Sequence, residues 1–188
     1  MKFETERLTL FATELKHFEL VMQSKQLLAE YLGVNVPTSF PESEDALPWF
    51  YDLVKADETL VGWLSFWALH RADNALIASI GFKSKPDENG KIEIGYSVIP
   101  EYRRQGFACE MVESLLAYGF ANPAVTVIEA QTRIDNIPSM KVLERFGMKQ
   151  TGTSHDEEEG EMFVWKLARG DYEEMSRNSS NQTNIDFV

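Results

Sequence analysis

At 188 residues, with 44% hydrophobic and 12% aromatic content, the chain is long enough to bury a core in one domain and is not compositionally disordered. Thirty acidic residues against 18 basic ones leave a formal net charge of -12. That balance excludes a sequence-independent nucleic-acid surface, which needs a basic stripe to displace counterions, and suits a cationic partner. Cys109 is the one cysteine, which excludes an internal disulfide and fits a reducing compartment, and no Cys/His spacing of a metal site occurs.

In chain order, Arg7 to Ala12 is β-prone, and His17 to Leu32 carries Phe18, Val21, Met22, Leu27, Leu28 and Tyr31 at helical spacing. Gly33 is the expected helix stop, followed by a loop from Val34 to Pro41 with two prolines. Ser43 opens a second amphipathic stretch through Leu53. From Val61 to Leu69 and Leu76 to Phe82 the composition turns to β-branched and aromatic residues, with Arg71 to Asn74 between them. The strong turn Pro86 to Gly90 leads into a third consecutive strand, Lys91 to Ile99, and the three are expected to be antiparallel neighbours.

A helix is expected from about Gly106, with Ala108, Met111, Val112, Leu115 and Leu116 on one face and a stop at Gly119 with Asn122-Pro123. Then come a strand over Val125 to Thr132, a short helix from Ser139 to Phe146 closed by Gly147, and strands over Met148 to Ser154 and Met162 to Ala168. The alternation predicts a mixed α/β (α+β) sandwich around one sheet. Residues 1–170 are read as one domain and 171–188 as a polar tail, mobile from Arg177 onward. No apolar run reaches the roughly 20 residues of a membrane helix, and nothing at the N-terminus has the apolar core of a signal, so a cytoplasmic protein without a membrane partner is expected.

The stretch Tyr102-Arg-Arg-Gln-Gly-Phe-Ala108 places two arginines and a glycine where a strand gives way to a helix. The unpaired N–H groups of a helix start attract anions, the helix dipole adds partial positive charge, and Arg103 and Arg104 add full charges. Gly106 and Ala108 leave room for a phosphate to approach the main chain. The bland alternative is a solvated loop with a turn glycine. A Walker loop or a dinucleotide fingerprint does not match, since Gly-Lys-Ser/Thr is absent and the glycine spacing differs.

Arg103-x-x-Gly106-x-Ala108, directly after Glu93-Ile-Gly-Tyr-Ser-Val-Ile-Pro100, resembles the acetyl-CoA signature of the GNAT superfamily of N-acetyltransferases. Asn136-Ile-Pro-Ser139 followed by Val142-Leu-Glu-Arg-Phe-Gly-Met148 is similar to that superfamily's second cofactor segment. The opening Glu4-Thr-Glu-Arg-Leu-Thr-Leu10 resembles the branch that includes ribosomal-protein N-terminal acetyltransferases. The resemblance covers about residues 1–168 and implies a mostly antiparallel central sheet flanked by helices. It also implies acetyl-CoA as cosubstrate, no metal, and an amine acceptor, either a peptide N-terminus or a small molecule. Members occur as monomers and dimers.

The resemblance further implies site residues. The pyrophosphate would rest on Arg103, Arg104, Gln105, Gly106, Phe107 and Ala108, mainly on main-chain N–H groups. A β-bulge around Ser97, Val98 and Ile99 would turn a backbone N–H toward the thioester oxygen. Asn136 would hold the pantetheine arm. Glu93 matches the catalytic glutamate of some members, with water or a purely surface role as alternatives. Ser139 would protonate the departing thiolate or serve only as a helix N-cap. Trp63, Phe66 and Trp67 line either the core or an acceptor pocket. The acidic connection His155 to Glu161 is either a solvated hairpin tip or a wall favouring cationic acceptors. A non-catalytic acyl-CoA-binding module would share all of these cofactor features.

Overall fold

The computed structural model describes residues 1–183, with side chains through Asn178. It contains strands β1 (Lys2–Glu4), β2 (Leu8–Ala12), β3 (Phe66–His70), β4 (Ala75–Phe82), β5 (Lys91–Val98), β6 (Val127–Arg133), β7 (Lys149–Asp156) and β8 (Gly160–Ala168). The helices are α1 (Leu15–Gln23), α2 (Lys25–Leu32), α3 (Leu47–Ala56), α4 (Phe107–Ala121), α5 (Ile137–Arg145) and α6 (Arg169–Thr183). The strands follow the order β1-β2-β3-β4-β5-β6-β8-β7 in an open, mostly antiparallel mixed α/β arrangement, as the motif order implies. Among the described residues no helix is long and apolar enough to cross a membrane.

Two compact units divide the chain. The first comprises Met1–Lys85 and Gly95–Leu115, and the second Pro86–Ile94 with the chain from Leu116 onward. In the first unit β1, β2, β3 and β4 form an antiparallel run, with Leu10 opposite Ala68 and Ala68 opposite Ala78. Leu8, Leu10 and Ala12 of β2 are buried in period-two alternation, whereas β3 and β4 bury consecutive residues, Phe66 to Ala68 and Ala75 to Ala78, as strands covered on both faces do. Trp67 is 1% exposed and meets Phe11, His17, Phe18 and Phe40 edge-on or tilted, with centroids 5.2–6.4 Å away. Phe66 and Trp67 are therefore core residues, whereas Trp63 is half-buried against Phe82.

Ser24 breaks the first expected helix into α1 and α2: its extended backbone ends one, and its hydroxyl accepts from Gln26 N to start the other. The break shifts the helical phase, so Phe18, Val21 and Leu28 are buried while Met22, Leu27 and Tyr31 are exposed. Gly33 ends α2 in the left-handed region at φ 68°. The strand expected from Val61 begins only at Phe66, because Val61 to Leu64 form turns through Gly62 at φ 86°.

In the second unit Lys91–Ile94 of β5 run parallel to β6, with Ile92 opposite Ile128, and β6 and β7 each pair antiparallel with β8. The parallel pair needs a crossover, which α4 supplies. Arg169 closes the C-terminal end of α4: its guanidinium donates to the carbonyls of Phe120, Asn122 and Val125 at 2.6–2.9 Å. Behind it Tyr172 stacks on Phe120 at 4.6 Å. Residues 171–183, which composition reads as tail, thus continue a helix, and positions 184–188 of that expected tail lie outside the described residues.

Candidate active site

In the first unit β5 ends at Val98, a 3-10 turn spans Pro100–Tyr102, and the chain enters α4 through Arg103 to Gly106. Burial on β5 alternates through Ile92 and Ile94, after which Tyr96 and Ser97 are both half-buried and Val98 and Ile99 both buried. Register irregularities occur between Ala68 and Leu69 of β3 and between Gln150 and Gly152 of β7. Ile99 N–H donates to Ile77 O at 2.9 Å and is already engaged, while Val98 O accepts from Arg103 Nε at 2.9 Å.

Arg104 and Gly106 both have positive φ, 60° and 86°, and turn the chain so that Gly106 O accepts the first helical bond, from Glu110 N at 3.1 Å. Gly106 has no side-chain oxygen with which to cap α4. The first-turn N–H groups of Phe107, Ala108 and Cys109 precede the helical ladder and face outward along the dipole. The two arginines differ. Arg103 is bound, by Nε to Val98 O and by Nη2 to Glu42, whereas the exposed Arg104 guanidinium has no partner among the described residues. A Cβ on Gly106 would sit 3.4 Å from Arg7 Nη2, so the cradle is open rather than filled. This set fits a pyrophosphate.

The loop is fastened by residues that motif reading did not single out. Arg7 Nη1 donates to Gln105 O at 2.9 Å, its Nε to Glu110 Oε2 at 2.8 Å, and its backbone N to Glu110 Oε1 at 2.7 Å; Thr5 Oγ1 also donates to Glu110. Burial alone would raise the Glu110 carboxyl, but the hydrogen bonds from Thr5 and Arg7 and the Arg7 charge outweigh it, leaving it below its ordinary 4.5. The Arg7 guanidinium lies 4.1 Å from the Phe107 ring centroid. Phe107 is 2% exposed and also meets His70 and Tyr102, so its side chain is core and only its main chain is available to a ligand. On the other flank Tyr102 donates to Asp73 at 2.7 Å, which pushes the phenol up, and Ser39 Oγ donates to the Glu101 carboxylate at 2.9 Å.

In the second unit Glu93 is half-buried and accepts from Gln131 Nε2 at 3.2 Å. Asn136, not Ser139, is the N-cap of α5: its Oδ1 accepts from Ser139 N at 3.2 Å, with Pro138 in the first turn. Ser139 is half-buried one turn into the helix. Asn136 is exposed, and its amide Nδ2 is not engaged among the described residues. Among the described residues no group of acidic, His and Cys side chains could hold a metal ion.

A model of the GNAT acetyltransferase domain matches residues 7–149, a span that includes parts of both units. The chain is 29% identical over 147 residues to the uncharacterised N-acetyltransferase YjdG of Bacillus subtilis strain 168, covering 77% of this chain and 87% of that one. It shares its fold with the structure of RimL, a ribosomal L7/L12 alpha-N-protein acetyltransferase in complex with coenzyme A (TM-score 0.65, 16% identity, 92% and 99% covered). It shares it equally with the spermidine/spermine N-acetyltransferase SpeG from Vibrio cholerae (TM-score 0.64, 18% identity, 90% and 98% covered).

Proposed function

The chain belongs to the GNAT acetyltransferase family, and from that premise we propose that it is an acetyl-CoA-dependent N-acetyltransferase acting directly on a primary amine. The observation that carries the reading is the start of α4, where a glycine without a capping oxygen, outward N–H groups and Arg104, without a partner among the described residues, suit a pyrophosphate. Bound acetyl-CoA supplies a thioester carbonyl that accepts the amine. Asn136, whose Nδ2 is not engaged among the described residues, would hold the pantetheine arm. Glu93 takes the proton from the acceptor ammonium: an N–H bond breaks, and the electron pair left on nitrogen forms the C–N bond as the C–S bond breaks. Ser139 delivers its hydroxyl proton to the departing thiolate and recovers one from the acylated nitrogen, whose second N–H bond breaks as the amide forms. Ternary-complex geometry makes a covalent enzyme intermediate unnecessary.

The acceptor is a peptide α-amine, as on a ribosomal protein, or a small-molecule amine. The Glu4 to Leu10 segment supports the first, and the acidic connection Asp156 to Glu161 supports a cationic acceptor of either kind. The test is thiol release from acetyl-CoA against peptides, polyamines and aminoglycosides, with Gly106→Trp as the blocked control. Amine-dependent release that the control abolishes is expected. Tight acetyl-CoA binding without turnover on any amine would favour a non-catalytic acyl-CoA-binding module, and no binding at all would overturn the reading of the α4 loop.

A further inference from the structure

The polar face of the second unit holds a hydrogen-bonded line drawn from three strands. Ser154 of β7 donates its hydroxyl to Gln131 Oε1 at 2.6 Å, and Gln131 of β6 donates Nε2 to Glu93 Oε2 of β5 at 3.2 Å. All three side chains are half-buried. A flipped Gln131 amide would set its carbonyl oxygen against the Glu93 carboxylate, acceptor against acceptor, so the amide has one favourable orientation, with its NH2 toward Glu93. Ser154 supports that orientation by donating to the other end.

Glu129 lies directly opposite Glu93 in the β5–β6 register, and its charge is offset by Lys166 Nζ at 2.7 Å and Lys91 Nζ at 3.8 Å. Arg133, on the same face of β6, is occupied by Asp135 and Glu159. Gln131 gives Glu93 a directional amide donor across the strands, which fixes the carboxylate in place.

We propose that Gln131, oriented by Ser154, is a positioning residue that aims the Glu93 carboxylate at the acceptor ammonium; the inference rests on the reading of Glu93 as the base. It has a signature that a merely structural role lacks. A base is needed only while the amine arrives protonated, so the deficit of a variant with a misaimed base must fade as the pH passes the amine's own pKa.

The experiment measures kcat and KM from pH 6.5 to 10 for wild type, E93Q, Q131L and S154A, using acetyl-CoA with spermidine and with a peptide bearing a free N-terminal serine. At pH 7 we expect kcat to fall about tenfold in Q131L and about threefold in S154A, with KM for acetyl-CoA unchanged and both deficits closing at high pH. E93Q should show a larger deficit that closes in the same way. If E93Q behaves so while Q131L shows no deficit, or one constant across pH, the positioning role is overturned and the base reading stands. If E93Q shows no deficit, or neither amine turns over, the base reading fails and this inference falls with it. Thermal melts report folding; should Q131L not fold, the near-isosteric Q131E, which sets a carboxylate against Glu93, must show the same pH-dependent deficit, and its absence overturns the proposal.

Discussion

Gly106→Ala separates backbone strain from ligand geometry when it is paired with Gly33→Ala. Both glycines have positive φ, 86° and 68°, and both sites are open: a Cβ meets nothing within 4 Å at Gly33 and only the flexible end of Arg7, at 3.4 Å, at Gly106. Each substitution therefore carries the same penalty, the about 1–2 kcal/mol for holding an L-residue in the left-handed region. At Gly33 the whole penalty falls on folding, an expected drop in melting temperature of about 2–8 °C, and acetyl-CoA affinity is untouched. At Gly106 the penalty divides. If the ligand-free loop stays at positive φ, folding bears it; if the loop relaxes, binding must restore the turn, and the dissociation constant rises by up to about 5–30-fold. The two losses for Gly106→Ala should sum to about the loss seen for Gly33→Ala. Urea unfolding without ligand and calorimetry with acetyl-CoA measure them. The reasoning is refuted if Gly33→Ala weakens acetyl-CoA as much as Gly106→Ala does, or if Gly106→Ala leaves both quantities within about 0.5 kcal/mol of wild type.

The two arginines of the loop should separate in the same pair of assays. Arg104→Ala, which breaks no contact among the described residues, should weaken acetyl-CoA about 5–10-fold at low salt, less at high salt, with stability unchanged. Arg103→Ala loses Val98 O and Glu42 and should lower stability by about 1 kcal/mol with the smaller effect on affinity. Glu110→Ala strips the acceptor from Thr5, the Arg7 backbone N–H and the Arg7 guanidinium, an expected loss of about 2 kcal/mol in urea unfolding at pH 7. Because the folded-state Glu110 carboxyl is held below 4.5, the advantage of wild type over Glu110→Gln is complete above that value and closes as the pH falls through the lowered one. A gap that widens on acidification would contradict it.

The features legible in the sequence are those whose cause is local. Gly33 ends a helix and Pro86 to Gly90 makes a turn because the residues themselves demand it. Arg103 to Ala108 could be read as an anion cradle because a strand end, a glycine and a helix start are adjacent in the chain. The division of labour between Arg103 and Arg104 was not legible, since it depends on Glu42, 61 positions away. The Gln131 contact to Glu93 and the Ser154 contact to Gln131 likewise arise only from strand pairing. At Ser139 the hydroxyl looked like a cap, but an asparagine three residues earlier, ahead of Pro138, holds that position. Ser24 shows the reverse, a polar residue inside an apolar pattern that ends one helix and caps the next. Helix α6 has weak periodicity of its own, and its first turns are held by Arg169, Tyr172 and Asp171 through partners 22 to 52 positions upstream.

The fastening of Thr5 and Arg7 to Glu110 has a consequence for biosynthesis. Thr5 and Arg7 leave the ribosome well before their partner, which follows 105 and 103 positions later. At about 5–20 residues per second, the N-terminal segment waits roughly 5–20 seconds for the carboxylate that holds it. Strand β2 meets the same delay on a shorter scale on its other side, since β3 begins only at Phe66. During that interval Leu8 and Leu10, fully buried in the finished protein, have only the short strand β1 beside them and no core, which marks this segment as dependent on protection while it is being made.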